Sequence, residues 1–315
     1  MKIVFLDAET LGKDMDFSPL APLGEIRLYP SSLPGEVETR TKDCDVILVN
    51  KVRCDESTLG VAPSVRLICE TATGYDNINL DFCRAHGIAV CNVANYSSGS
   101  VAQVTVAMAL SLWNRLPVYD RYTKSGAYTA GGAANCLTPV YREIGGKCWG
   151  IFGCGHIGTS VAQVAAALGC RVIVCQRTKH ILYPTVTAEE LCREADIISL
   201  HVPLTKETRG MIHAHLLSLM KPTALLINMA RGGVWDETAV AKAVSAGKLG
   251  GIGCDVYDGE PMGAQHPFRA LFGFDNVILT PHMSWGAYEA RRRCLDETCE
   301  NIRAFLAGQR RSRVD

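Results

Sequence analysis

Residues 147–158, Lys-Cys-Trp-Gly-Ile-Phe-Gly-Cys-Gly-His-Ile-Gly, constrain the fold of this chain more than any other stretch. A short apolar run ending at Phe152 reads as a buried strand, and Gly153, Gly155 and Gly158 follow it in G-x-G-x-x-G spacing. The Ala-rich residues 159–168 then carry a helical pattern. A strand–turn–helix of this kind binds a dinucleotide. The first glycine permits the tight turn, the second lets backbone approach the pyrophosphate, and the third packs helix on strand. The helix N-terminus adds unpaired N–H groups and partial positive charge for phosphate. The candidate cofactor contacts here are Gly153, Gly155, His156, Ile157 and Gly158.

On both sides of this loop the chain alternates strand and helix. Before it, short β-rich runs occupy residues 3–6, 25–29, 46–49, 65–69 and 88–91, with helical stretches at 36–42, 56–59 and 80–86. After it, strands are expected at 171–175, 197–202, 224–229, 251–256 and 277–280, and helices at 188–194, 213–220 and 237–246. A final amphipathic helix is expected at 288–306. Repeated βα units give an α/β fold with parallel, doubly wound sheets. With 315 residues the chain is long enough for two domains, each with its own core, the second binding the nucleotide. Residues 101–116 read as a helix apolar on nearly every side, stopped by Pro117 and buried all round, between domains or against a second subunit. Residues 122–142, which contain Gly126, Gly131 and Gly132, read as an irregular arm.

Charge and composition remove several classes of function. Lys plus Arg and Asp plus Glu both number 32, so no net field draws in nucleic acid or an acidic membrane. Residues 87–114 carry no charge, but Asn92, Asn95, Ser97, Ser98 and Gln103 interrupt them, leaving less than the roughly 20 apolar residues a membrane helix needs. Residues 1–7 are a strand and too short for a secretory core. The fourteen cysteines contain no C-x-x-C pair and read as small hydrophobes kept reduced in a cytoplasm, with no metal site.

Four polar clusters lie just past expected strands. They are His201-Val202-Pro203-Leu-Thr205 with Thr208 behind it, Asn228-Met229-Ala230-Arg231-Gly232-Gly233 continuing to Asp236-Glu237, Asp255-Val-Tyr-Asp-Gly-Glu260-Pro261, and Thr280-Pro281-His282-Met-Ser-Trp285. Doubly wound sheets gather such strand ends at one crevice. One Arg, one Glu and one His there suit polarising a carbonyl and moving a proton.

With these motifs in this order, nearly the whole chain resembles the D-isomer-specific 2-hydroxyacid dehydrogenase family. The resemblance implies a Rossmann-type domain at residues 99–286 and a smaller flavodoxin-like substrate domain made of residues 1–98 and 287–315. It implies catalysis by Arg231, Glu260 and His282. Lys51, Thr73 and Gly74 would bind substrate with Arg231 and His282, the Thr73 and Gly74 N–H groups meeting its carboxylate. Thr105, His201, Val202, Pro203, Thr208, Met229, Ala230 and Asp255 would lie along the cofactor, Asp255 near the nicotinamide. The substrate would be a small 2-oxo acid, of hydroxypyruvate or glyoxylate type from the likeness of Asn50-Lys51 and Ala-Thr-Gly-Tyr to the glycerate dehydrogenase branch, and the assembly a homodimer. A non-enzymatic dinucleotide-sensing scaffold is the competing reading, and a third is formate or phosphonate oxidation on the same fold.

Two departures from the family pattern stand out. Gln103 replaces a frequent Glu, which is read as a tolerated structural change. At the end of the second strand after the glycine loop, Gln176-Arg177-Thr178-Lys179 offers no carboxylate to a ribose, and none follows before Glu189. Gln176 could still hydrogen-bond a hydroxyl, while Arg177 and Thr178 could meet a 2′-phosphate. NADP(H) is therefore expected to be preferred, with NAD(H) possible.

Overall fold

The computed structural model describes residues 1–60 and 62–315. They form two compact units, one of Met1–Ser97 with Trp285–Asp315 and the other of Ser98–Ser284.

In the first unit five parallel strands, β1 (Lys2–Phe5), β2 (Glu25–Leu28), β3 (Val46–Val49), β4 (Leu67–Glu70) and β5 (Ala89–Cys91), lie in the order β2-β1-β3-β4-β5. This is the flavodoxin-like order. Every residue of β3 and β4 is buried, as expected of a parallel strand covered on both faces. Alternate side chains serve two cores. Phe5, Leu48 and Leu67 pack with Leu295, Cys299 and Ile302 of the helix Tyr288–Leu306. Val4, Ile47 and Ile68 pack with Val37, Leu59 and Cys83 from the helices Pro34–Thr41, Glu56–Leu59 and Leu80–Ala85. Two 3-10 turns, Ala8–Leu11 and Ser18–Leu23, join β1 to β2 where the sequence carries no periodic pattern.

The second unit holds β6 (Cys148–Phe152), β7 (Arg171–Cys175), β8 (Ile197–Leu200), β9 (Leu225–Asn228), β10 (Gly251–Cys254) and β11 (Val277–Leu279), parallel in the order β11-β10-β9-β8-β6-β7. Outside β7, Thr185 makes one parallel bridge to Val174, a rudiment of a further strand. The chain thus winds outward from β6 to β7 and Thr185, then returns to β8 on the other side of β6. The point where it reverses, outside the carboxyl ends of β6 and β8, is where such sheets bind ligands. The glycine loop sits there.

Strand and helix positions agree with the sequence reading to within a few residues, but the middle of the chain needs three corrections. The apolar helix spans Ser98–Trp113 and ends before Pro117. Arg115 turns left-handed at φ 55°, and Pro117 lies in the first turn of a new helix, Leu116–Lys124. Proline lacks only an N–H that a first turn leaves unpaired anyway, so here it starts a helix rather than stopping one. The Ser98–Trp113 helix is not buried all round either, since Gln103 and Ala107 are exposed and Val104 and Leu110 half-buried. The expected irregular arm is partly helical through Leu116–Lys124 and Ala127–Gly131. Its remainder is tied back by Trp113 Nε1 to Arg142 O (2.6 Å) and Tyr119 Oη to Pro139 O (2.6 Å).

Candidate active site

The three glycines after β6 behave differently. Gly153 has φ +82°, and a Cβ on it would fall 2.8 Å from Val202 Cγ1. A Cβ on Gly158 would lie 2.2 Å from Gly153 O, so the helix His156–Ala167 seats directly on the turn. A Cβ on Gly155 would meet nothing within 4 Å, leaving that side open for a ligand to reach the backbone. His201, beyond β8, adds a second sign of fit. Both of its ring nitrogens are buried without a hydrogen-bond partner among the described residues, and burial pushes its pKa down to about 3. Neutral imidazole at this depth beside the glycine turn, together with the open face of Gly155, suits a bound dinucleotide. Such a group would supply a hydride to a carbonyl carbon.

The remaining expected cofactor residues divide into two sets. Val202 packs against the glycine turn, Thr208 Oγ1 closes its loop by donating to Pro203 O (2.6 Å), and Met229 and Ala230 are buried at the end of β9. Thr105 and Asp255, by contrast, have their polar atoms committed inside the protein. Thr105 is fully buried and donates to Val101 O (2.7 Å). Asp255, also fully buried, accepts Thr280 Oγ1 (2.6 Å) and the N–H groups of Met283 (2.9 Å) and Ser284 (2.9 Å). These bonds brace the chain on both sides of His282, whose φ of 52° is left-handed. Left-handed backbone at a non-glycine residue is costly and persists only where its surroundings hold it. Asp255 therefore positions His282.

Glu260 completes this arrangement. Its Oε2 lies 2.6 Å from His282 Nδ1, and its Oε1 accepts the Tyr257 N–H (3.0 Å). Tyr257 Oη in turn donates to Thr280 O (2.8 Å), tying the Glu260 loop to the end of β11. With the carboxylate on Nδ1, Nε2 is the nitrogen left for proton transfer.

Arg231 follows β9 on a loop capped by Asn228, whose Nδ2 donates to Arg231 O (2.9 Å) and whose Oδ1 accepts the Ala230 N–H (3.0 Å). Next to it, Gly232 lies hard against the Tyr257–Asp258 peptide. The loops bearing Arg231, Glu260 and His282 are thus joined to one another, as their placement after β9, β10 and β11 requires.

At the end of β7 the structure corrects the reading of Gln176. Its Oε1 accepts the Cys154 N–H (3.1 Å) and its Nε2 donates to Thr178 O (2.8 Å), so the amide staples the glycine turn instead of standing ready for a ribose hydroxyl. Arg177 and Thr178 follow on the surface. Glu207, whose carboxyl is held below its usual range chiefly by the Thr205 hydroxyl, also feels the Arg177 charge.

In the first unit, Lys51 is exposed after β3. Asp7, at the end of β1, holds its loop by accepting the N–H groups of Asn50 (3.0 Å), Lys51 (2.6 Å) and Val52 (3.0 Å). Burial raises the Asp7 pKa, and these three bonds oppose the rise. The sequence reading missed Asp7; a carboxylate closing an apolar strand was the available signal. After β4, Thr73 Oγ1 donates to Val93 O (3.0 Å) and Thr73 O accepts Asn92 Nδ2 (2.8 Å). Among the described residues, the N–H groups of Thr73 and Gly74 donate to no protein acceptor, as a carboxylate-binding turn would require.

Comparison with known proteins agrees with this geometry. Residues 106–284 match the family model described as D-isomer specific 2-hydroxyacid dehydrogenase, NAD binding domain. The chain is 34% identical to glycerate dehydrogenase of Methylorubrum extorquens, covering 100% of this chain and 99% of that protein. It is 31% identical to hydroxypyruvate reductase of Blautia hydrogenotrophica, covering 98% of each. The solved D-lactate dehydrogenase from Aquifex aeolicus, complexed with NAD and lactic acid, gives a TM-score of 0.84 at 30% identity, covering 97% of this chain and 96% of that one. The chain belongs to the D-isomer-specific 2-hydroxyacid dehydrogenase family and is an oxidoreductase that reduces 2-oxo acids with a nicotinamide dinucleotide.

Proposed function

We propose that this enzyme reduces a hydroxypyruvate- or glyoxylate-type 2-oxo acid to the D-2-hydroxy acid, prefers NADPH, and works as a cytoplasmic homodimer. The observation that carries the catalytic part is the 2.6 Å contact between His282 Nδ1 and Glu260 Oε2. A 2-oxo acid presents a carboxylate and a carbonyl side by side, and the Arg231 guanidinium can bond to both through its planar fork. That contact orients the carbonyl carbon and draws electrons toward its oxygen. As the carbonyl oxygen gains charge, His282 Nε2 delivers a proton to it, and the Glu260 carboxylate stabilises the imidazolium beforehand. In the oxidative direction neutral His282 takes the proton back. Thr73 and Gly74 N–H groups would hold the substrate carboxylate, with Lys51 adding charge.

The cofactor preference rests on the loop after β7. Residues 176–188 contain no carboxylate to repel a 2′-phosphate, and Arg177 and Thr178 can donate to one. Homodimer formation rests on apolar surface that a monomer would leave wet. Leu116, Leu137, Val140 and Tyr141 are each more than half exposed on the segment following the Ser98–Trp113 helix. A cytoplasmic setting rests on the cysteines, all fourteen of which are free and twelve of them buried as apolar filler.

Oxidation of NADPH and NADH at 340 nm against pyruvate, glyoxylate, hydroxypyruvate and branched 2-oxo acids tests the substrate. The highest kcat/KM is expected for hydroxypyruvate or glyoxylate, and a tenfold advantage for a branched acid would overturn that assignment. Sedimentation at micromolar concentration tests the dimer, which a monomer peak would remove.

A further inference from the structure

Beneath the Arg231 and Glu260 loops lies a buried acid that the mechanism does not use. Glu237 stands in the first turn of the helix Glu237–Ser245, where an acidic residue is ordinarily a solvated partner of the helix dipole. Here it is only 9% exposed and turned inward. Its Oε1 accepts the Asp258 N–H (2.9 Å), two residues before Glu260, and its Oε2 lies 2.8 Å from His266 Nε2. His266 Nδ1 accepts the Phe268 N–H (3.2 Å). An imidazole accepting at Nδ1 carries its proton on Nε2, so the group facing Glu237 is a donor. That contact is not a hydrogen bond, which leaves it an attraction of charge for a polar N–H. The Asp258 N–H thus bonds the carboxylate while the His266 N–H and the Trp235 side chain face it. The His266 ring also meets the Tyr257 ring edge to face, with centroids 5.6 Å apart.

The place of this pair in the chain matters as much as its contacts. Glu237 follows Arg231 on the same turn-to-helix segment, and Asp258 lies on the loop of Glu260. The Asp258 peptide that Glu237 grips is the one against which Gly232 is pressed. From there the connections run through Tyr257 N–H to Glu260 Oε1 and from Glu260 Oε2 to His282 Nδ1. We infer that Glu237, braced by His266, is a positioning residue that locks the Arg231 and Glu260 loops into one unit and so sets the Glu260–His282 contact. A misplacement of about 1 Å in such a contact costs on the order of 100-fold in rate. This inference rests on the assignment of Arg231, Glu260 and His282 as the catalytic set.

The test compares Glu237→Leu, Glu237→Gln and His266→Asn with wild type and with His282→Asn, using full-length protein and the best 2-oxo acid. Glu237→Leu is expected to lower kcat by tenfold or more while cofactor affinity, read by fluorescence titration, stays within twofold. Glu237→Gln keeps an oxygen for the Asp258 N–H and should recover most of kcat. If Glu237→Leu does not fold, His266→Asn carries the test, with a smaller loss of kcat and unchanged cofactor affinity. Unchanged kcat in the folded variants, or a loss that Glu237→Gln fails to recover, overturns the inference. Near-normal turnover in His282→Asn would instead overturn the catalytic assignment beneath it.

Discussion

Gly232 lies so close to Tyr257 that a Cβ on it would fall 1.9 Å from the Tyr257 carbonyl carbon and 2.0 Å from Asp258 N. Neither atom belongs to a flexible side chain, so no rotamer change can relieve the clash. The glycine is required by the approach of two loops rather than by its own dihedrals, and those loops carry Arg231 and Glu260. Gly232→Ala must push them apart. We expect kcat/KM to fall by about 100-fold, with far-ultraviolet circular dichroism and cofactor binding retained. Activity within threefold of wild type would show that the loops tolerate separation.

His282 and Arg231 should fail in distinguishable ways. His282→Asn removes the proposed proton donor, a role typically worth about 100- to 10,000-fold, and should lower kcat without weakening the cofactor. Arg231→Lys keeps the charge but loses the two-pronged geometry proposed to meet carboxylate and carbonyl together. Its loss should appear in kcat/KM, with a raised KM for the 2-oxo acid. Steady-state kinetics with the best substrate separates the two, and near-normal turnover in either variant contradicts the role given to it.

The parts legible in the sequence are those written in local patterns. The glycine spacing around Gly155 and the amphipathic period of Tyr288–Leu306 were readable because one strand, turn or helix contains the whole signal. The placement of Arg231, Glu260 and His282 beyond three strands was readable because each sits in a short motif just past a strand. The misreadings share a different cause. Pro117 can end one helix or begin the next, and the left-handed turn at Arg115 decides between them. Gln176 looked available because its partners, Cys154 N–H and Thr178 O, are fixed by how the loop closes. Asp7, Asp255 and Glu237 each brace backbone that lies tens of residues away, and no spacing rule announces such a bond.

Arg177 provides the cofactor test. A charge-assisted contact to a 2′-phosphate is worth about 1.5–3 kcal/mol, or about one to two decades of affinity. Arg177→Ala should therefore weaken NADPH by tenfold or more and leave NADH nearly unchanged. Because Glu207 feels the Arg177 charge, Glu207→Gln should tighten NADPH by a smaller factor. Fluorescence titration of both reduced cofactors reads both effects. Equal affinity of wild type for NADH and NADPH would remove the preference, and an unmoved ratio in Arg177→Ala would place its origin elsewhere.

Glu70 gives a prediction about stability rather than rate. It closes β4 fully buried, with Oε2 accepting Asn77 Nδ2 (3.0 Å) and Oε1 meeting no partner among the described residues. Burial pushes its carboxyl well above the ordinary 4.5, the Asn77 bond opposes this, and the nearby Asp7 charge adds to it. The folded protein therefore keeps a proton that the unfolded chain releases near pH 4.5. Wherever the folded state binds more protons, stability falls as pH rises, by up to about 1.4 kcal/mol per pH unit for one proton. The favourable contribution is complete below the unfolded value and is lost as pH climbs toward the folded one. Glu70→Gln has no proton to lose and keeps an oxygen for Asn77. Urea unfolding between pH 5 and about pH 8 should show the variant gaining on wild type as pH increases. A gap that stays constant across that range would mean that Glu70 is ionised in the folded protein and finds its compensation elsewhere.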